Sequence, residues 1–287
     1  PAQAWTTVSI LSFTYMFSFI DRQILVLLVE PIKADLQITD TQVSLLTGFA
    51  FAVVYTLAGI PMGRAADRRV RKYVIIFGVV VWSTLTMACG FVRNFFQLFV
   101  ARMGVGLGEA ALTPTAYAMM PDLFPPNKLA KGMSVFSLGG SIGSGMSLLF
   151  GGVVISLATE IGSISLPLIG EIRVWQLVLI AVGGASLLMM IPLSLMPEPK
   201  RQGTVAPFTP RNDAVTFKQV LEYLVNHRTF YAPFFVGIAL YALFIYGLLT
   251  WLPSYFIRVH HWDAASTGIT LGALTIVPTI FGTLSAG

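Results

Sequence analysis

The sequence predicts an all-α integral membrane protein, and three observations support this fold class. Of 287 residues, 55% are hydrophobic and only 11% are charged, whereas an ordinary soluble domain has about 25% charged residues. The 26 glycines suit bundles of membrane helices, in which small residues let backbones approach closely. Apolar stretches of about 20 residues, long enough to cross a bilayer, recur along the whole chain.

Eight stretches of the chain qualify as membrane-spanning helices. They lie at roughly 5–29, 43–63, 73–92, 95–118, 133–155, 174–196, 231–256 and 264–287. The breaks between them are short and contain turn-forming residues, such as Phe124-Pro125-Pro126-Asn127 and Ser165-Leu166-Pro167. We therefore expect hairpin connections between neighbouring helices, and no comparable stretch has the alternation of a strand.

The distribution of basic residues predicts the orientation, because cytoplasmic loops carry the excess of Lys and Arg. With the N-terminus inside, twelve cations fall in inner loops or helix ends and four fall outside. The loops at 64–72, 119–132 and 197–229 are then cytoplasmic, and the loop at 157–173 lies on the other side. The cations cluster at helix ends and not along one soluble face, so a nucleic-acid partner is not expected.

One long polar segment, 197–229, divides the chain and includes a possible surface helix around 217–225. We expect an N-terminal six-helix bundle at 1–196, this segment as a cytoplasmic linker, and the first two helices of a second bundle at 230–287.

A weak repeat lies across the linker, as is typical of transporters built from parallel repeats. Four residues of the first half recur in the second at offsets of 222 to 224: Pro31, Asp40, Gly48 and Gly63 match Pro253, Asp263, Gly272 and Gly287. If the second half repeats the first, four further helices are expected.

The loop after the second span carries the most specific motif. It runs from Gly63 to Lys72 as Gly-Arg-Ala-Ala-Asp-Arg-Arg-Val-Arg-Lys, and it resembles the G-x-x-x-D-R-x-x-R-[RK] loop of the major facilitator superfamily. We expect Gly63, Asp67, Arg68 and Arg71 to form a loop that rearranges during transport. The alternative is a basic loop that only sets topology, which would not require an acid within the run.

Further motifs resemble the spinster family of lipid transporters. They are Phe19-Ile20-Asp21-Arg22-Gln23, the run from Arg102 to Ala110, and Pro121-Asp122-Leu123-Phe124. The resemblance implies a major facilitator fold, of which this chain supplies the first eight of an expected twelve helices. It also implies alternating-access transport of sphingolipid- or lysophospholipid-type amphiphiles. The segment 139–145 lacks the Gly-Pro pair of the superfamily's antiporter motif, so antiport is not supported by that motif.

Four charged residues lie within predicted spans, where each costs about 2.5–3.5 kcal/mol and usually faces a partner or a cavity. We predict Glu109 and Asp21 as proton-titratable groups and Arg102, seven residues from Glu109 on one helix face, as the cation that biases Glu109. Arg22 is predicted to bind an anionic head group, and Tyr246 in the seventh span is a further candidate for substrate contact. The alternative is a static ion-pair network that only holds two helices together.

These residues predict a proton-influenced secondary transporter, expected to be monomeric, whose partners are a lipid-like or organic anionic substrate, membrane lipids and protons. Transport of small organic anions is the alternative within this class. A membrane-embedded enzyme is disfavoured, because the three histidines, His227, His260 and His261, lie in loops or at helix ends. No cofactor and no metal site are predicted, and a channel would need a continuous polar stripe that the sequence lacks.

Overall fold

The computed structural model describes residues 2–161, 164–166, 170–201 and 217–286. The first half contains α1 (Ala2–Leu27), α2 (Val29–Leu36), α3 (Asp40–Ser44), a π-helical turn (Leu45–Phe49), α4 (Ala50–Arg68), α5 (Arg71–Cys89), α6 (Phe95–Glu109), α7 (Leu112–Leu123) and α8 (Pro126–Ile161). It is followed by β1 (Ile164–Leu166), β2 (Gly170–Ile172), α9 (Val174–Leu187), α10 (Met190–Leu195), α11 (Phe217–Asn226), α12 (Arg228–His260) and α13 (Ala264–Ala286).

The helices confirm an integral, multi-pass membrane protein. Within the described ranges, seven helical stretches are long and apolar enough to cross a bilayer, and α13 adds a further apolar helix over Ala264–Thr279. Each of the eight predicted spans falls on one of these helices. The predicted surface helix near 217–225 is present as α11.

One connection contains strands that the sequence did not predict, and the predicted loops at 64–72 and 119–132 are largely helical. β1 and β2 form a short antiparallel ribbon in which Ile164 pairs with Ile172, where the sequence predicted only a turn. Strands of three residues are too short to produce a recognisable alternation of polar and apolar residues.

Small residues set the closest helix crossings. A Cβ added to Gly108 of α6 would lie 2.5 Å from the backbone nitrogen of Trp82 in α5. One added to Gly139 of α8 would lie 2.0 Å from the carbonyl oxygen of Ser12 in α1. Backbone atoms fill both spaces, so the helices approach at distances that only glycine permits.

Contacts divide the chain into two compact units. One comprises 1–202 together with 253–287, and the other is 203–252. In the first unit, Trp82, Trp175 and Phe136 are almost fully buried, and α8 packs against both α1 and α13. The four charged candidate residues Asp21, Arg22, Arg102 and Glu109 lie within this first unit.

Polar side chains cap the starts of α3 and α13 in the first unit. The backbone N–H of Gln42 donates to the Thr39 hydroxyl at 3.3 Å, and the N–H of Ser266 donates to Asp263 Oδ1 at 2.8 Å. The hydrogen bond from Ser266 lowers the pKa of Asp263. Asp263 thus begins α13 as a helix cap, which explains an acid at this position without a role in transport.

Candidate substrate and proton site

Charged residues from α1 and α6 meet in the middle of the first unit. The whole residues Asp21, Arg102 and Glu109 are 0%, 1% and 1% exposed, and the side chain of Arg22 is 15% exposed. Burial of this kind is costly unless the charges find partners. The contacts of each group therefore decide what the cluster can do.

Arg22 forms the ion pair with Glu109. Its Nη2 lies 2.6 Å and its Nε 3.2 Å from Glu109 Oε2. Ser18, one helical turn before Arg22 on α1, donates its hydroxyl to the same oxygen at 2.8 Å. Glu109 Oε1 accepts no hydrogen bond from the described residues, so half of the carboxylate remains available.

Arg102 forms no hydrogen bond with Glu109 among the described residues, so the electrostatic bias on Glu109 predicted for it stays a prediction. Arg102 Nη1 instead donates to the backbone carbonyl of Asp21 at 3.4 Å, and its Nε and Nη2 have no hydrogen-bond partner in the described part of the chain. A spacing of seven places two residues on one helix face but about 10.5 Å apart along the axis. Glu109 is therefore reached more easily from the neighbouring helix α1.

Asp21 faces a different set of residues from Arg22, as the 100° offset of adjacent helical positions predicts. Its carboxylate lies next to the Ser186 hydroxyl of α9 and the Trp82 indole of α5. Neither neighbour meets hydrogen-bond geometry, and both Asp21 oxygens have no hydrogen bond among residues that the structure describes. Asp21 and Glu109 thus have different neighbouring side chains, although they are close enough to interact electrostatically.

Aromatic rings surround the Arg22 guanidinium, a feature that the sequence did not reveal. Its central carbon lies 4.4 Å from the ring centre of Phe51, 4.9 Å from Phe19 and 5.1 Å from Tyr55. Phe51 and Tyr55 are one turn apart on α4 and stack with centroids 5.3 Å apart. Their spacing places both rings on one face of α4, but nothing in it indicates which helix that face meets.

The motif loop after α4 has a different local structure from the one expected. The sequence predicted a loop here, but Gly63, Asp67 and Arg68 all lie within α4. Asp67 is in the last turn of α4, and its side chain is exposed. Arg201 donates to the carbonyl oxygens of Asp67, Ala66 and Arg69, so it caps the end of α4. An acid in the last turn is unfavourable because the helix C-terminus carries partial negative charge. Local stability therefore does not explain Asp67.

Other residues of this loop lie in a network at the same end of the helices. Arg71 pairs with Asp122, and the N–H groups of Arg71 and Lys72 donate to the Glu198 carboxylate at 3.0 and 2.9 Å. Arg68 is exposed. A Cβ added to Gly63 would have no atom of the described residues within 4 Å, so no close helix contact requires glycine there.

A second ionic cluster lies at the opposite end and joins α2 and α3 to the end of α12. Arg258 binds Asp40 through two hydrogen bonds of 3.0 and 2.8 Å, and it binds Glu30 at 2.8 Å. Lys33 also pairs with Asp40. Asp35 makes a separate ion pair with Arg173 at this end.

The remaining candidate residues do not join these clusters. Tyr246 is half exposed on α12 and belongs to the unit 203–252, so its role in substrate contact stays a prediction. Cys89 is a buried free thiol. The described residues contain no group of three or more His, Cys, Asp or Glu side chains suited to a metal ion.

Comparison with known proteins decides the family. The model of the Major Facilitator Superfamily matches residues 11–287. The chain belongs to this superfamily. A solved structure of a bacterial homologue of the human lysosomal transporter spinster, in an inward-facing and unoccupied conformation, superimposes with a TM-score of 0.81 at 30% identity. That match covers 99% of this chain and 61% of the other, and it confirms the spinster-like resemblance.

Sequence relatives within the superfamily differ in what they transport. An MFS-type efflux pump of Mycolicibacterium smegmatis is 30% identical over 100% of this chain and 62% of its own length. A hexuronate transporter of Bacillus subtilis is 25% identical over 93% of this chain and 59% of its length. The chain therefore spans about 60% of the length of these relatives.

Proposed function

We propose that this chain is part of a secondary transporter that moves anionic, lipid-like amphiphiles by alternating access, with protons influencing the cycle. The observation that carries the proposal is the ion pair between Arg22 and Glu109. It is a cation of one helix bound to a titratable acid of another, within membrane-spanning segments and with the cation still partly exposed. Such a pair can exchange its acid for the acidic group of a substrate.

The proposed cycle depends on competition for Arg22. When Glu109 is ionised, it occupies the guanidinium with the short hydrogen bond of 2.6 Å. When Glu109 takes up a proton, its attraction to Arg22 falls and the guanidinium becomes available to a carboxylate or phosphate of the substrate. Protonation and substrate binding are then linked, and each changes the balance between the two open states.

The surroundings of Arg22 favour an amphiphile over a sugar acid. Recognition of a sugar acid needs several hydrogen-bonding groups for its hydroxyls, because a buried hydroxyl without a partner is costly. The rings of Phe19, Phe51 and Tyr55 lie close to the Arg22 guanidinium and offer apolar surface beside the cation. Similarity to a hexuronate transporter keeps small organic anions as the second candidate.

The ionic cluster around Arg258 supports a conformation closed at that end. It joins the helices of the first half to α12, and the solved spinster homologue is inward-facing. We propose the same conformation for this chain, with Asp40 and Arg258 on the outer side and the basic loops inside. This orientation agrees with the excess of Lys and Arg in those loops.

The test is uptake by proteoliposomes that contain the full-length protein. Two labelled probes, an alkyl phosphate with a twelve-carbon chain and a hexuronate, are compared with Arg22→Ala as the matched variant. The proposal predicts uptake of the alkyl phosphate, lost in Arg22→Ala. Uptake of hexuronate alone would replace the lipid-like substrate by a small organic anion, and uptake unaffected by Arg22→Ala would remove Arg22 from the site.

A further inference from the structure

The rings around Arg22 form a cage whose members come from two helices. Phe19 precedes Arg22 by three residues on α1, and Phe51 and Tyr55 project from α4. The three ring centres lie 4.4 to 5.1 Å from the central guanidinium carbon, within the 6 Å range of cation–π attraction. We call these three residues the aromatic cage.

The α4 part of the cage is held in place by the fourth span. Tyr55 donates its hydroxyl to Thr113 Oγ1 on α7 at 3.2 Å, which fixes the direction of the ring. The backbone of Phe51 lies against Gly106 of α6, where a Cβ would meet the Phe51 carbonyl oxygen at 2.8 Å. Phe51 is only 5% exposed, so its ring has little freedom to leave the guanidinium.

A second cation makes the position of Arg22 harder to maintain without this cage. The guanidinium carbon of Arg102 lies 5.8 Å from the Phe51 ring centre, so the same ring stands near both arginines. Like charges in a low-dielectric interior repel each other. Glu109 forms an ion pair with Arg22, and the proposed cycle requires this pair to open.

We infer that Phe51 and Tyr55 are positioning residues that hold the Arg22 guanidinium in place whenever Glu109 does not neutralise it. Their ring faces carry partial negative charge and stabilise a cation without carrying a proton or a formal charge. The Arg22 guanidinium can therefore keep its position while its ion-pair partner changes from Glu109 to an acidic group of the substrate. This inference deepens the proposed function and rests on it for its role in transport.

The cage also has a consequence that does not depend on any substrate. The Glu109 carboxylate and the rings both stabilise the charge of Arg22. If either is removed, the other remains, whereas removing both takes two stabilising contacts from a cation that is largely buried. The two losses should therefore be non-additive, because residues that share one partner are energetically coupled.

The experiment is a double-variant cycle on the melting temperature of the purified full-length protein in detergent. Glu109→Gln, Phe51→Leu and their combination are compared with the wild type. The matched control cycle replaces Phe51→Leu by Phe99→Leu, which removes a ring that contacts Phe95 and does not belong to the cage. The cage predicts that the Glu109→Gln and Phe51→Leu combination melts about 2–4 °C below the sum of its single effects.

Rescue separates the cage from ordinary packing. Phe51→Trp keeps a ring face and should restore additivity with Glu109→Gln, whereas Phe51→Met fills the space without a ring and should not. Additive effects in the Phe51→Leu cycle, or equal rescue by Met and Trp, would overturn the inference. If Phe51→Leu does not yield folded protein, Tyr55→Leu enters the same cycle with the same criteria.

Transport gives the second measurement. With the twelve-carbon alkyl phosphate as probe, Phe51→Leu should raise KM about three- to tenfold with little change in kcat. An unchanged KM would contradict the role in holding Arg22 for substrate. If the wild type does not transport this probe, the proposed substrate class fails, while the melting cycle still decides whether the rings hold Arg22.

Discussion

Replacing Glu109 by Gln gives the most direct view of the ion pair, because the amide imitates the protonated acid at nearly constant volume. The amide keeps an acceptor for Ser18 and Arg22 but loses the charge that draws Nη2 to 2.6 Å. Opening a buried pair by removing one partner costs about 3–5 kcal/mol. The aromatic rings offset part of this, at about 0.5–1 kcal/mol for each contact.

The balance of these two effects sets the expected size of the change. With three ring contacts, it leaves about 0–3.5 kcal/mol, which corresponds to a change of up to about a few hundredfold in the equilibrium that Glu109 controls. Gln cannot gain or lose a proton, so in Glu109→Gln this equilibrium no longer depends on pH through residue 109. Transport by Glu109→Gln should therefore lose the pH dependence that the wild type shows.

The assay is uptake of the alkyl phosphate probe by proteoliposomes at several pH values, with equal internal and external pH. Asp35→Asn is the matched control, since it removes another carboxylate that is ion-paired with an arginine but lies away from Arg22. An unchanged pH profile in Glu109→Gln would refute the reasoning. Glu109 would then be a structural partner of Arg22, and the proton role would pass to Asp21 or be dropped.

Three further predictions test other parts of the molecule. Asp67→Asn should impair transport while expression and membrane insertion stay normal, because the exposed acid has no local stabilising role; normal transport would leave the loop a topological signal. Asp40→Asn should weaken the ionic cluster around Arg258 and shift the conformational equilibrium about two- to fivefold toward opening at that end of the helices. Spin labels placed on either side of the cluster should then show an added population at longer distance, whereas Asp35→Asn should not produce one. Equal effects of the two variants would show that the Asp40–Arg258 pair does not hold this end closed. Gly108→Ala should destabilise the protein by about 1–3 kcal/mol, measured as a lower melting temperature, while Gly184→Ala, with open space at its Cβ, should change little; similar effects would contradict the close helix crossing.

The membrane helices could be predicted because burial in lipid leaves a direct mark on composition. Every spanning helix needs a long apolar run, and each predicted span falls on a helix in the structure. Local irregularities leave no such mark. The π-helical turn at Leu45–Phe49 and the break between α6 and α7 at Ala110 and Ala111 have no distinctive sequence, because they follow from packing between helices.

The candidate site was predictable in its members but not in its pairings. Glu109 and Arg22 stood out because charges within spans are rare. The partner of Glu109 depended on which helix α6 meets, and a single sequence does not specify helix neighbours directly. For the same reason, the sequence did not indicate that the ring of Phe51 contacts Arg22. It also did not indicate that Glu198 caps the start of α5 or that Arg201 caps the end of α4.

The central claim is that Arg22 and Glu109 form a proton-linked binding site for an anionic amphiphile. The measurement that tests it most directly is uptake of the alkyl phosphate by proteoliposomes with the full-length protein, with and without an imposed pH gradient. The account predicts uptake that responds to the gradient in the wild type, does not respond in Glu109→Gln, and is lost in Arg22→Ala. Gradient-independent uptake by the wild type, or a gradient response that survives Glu109→Gln, would contradict it.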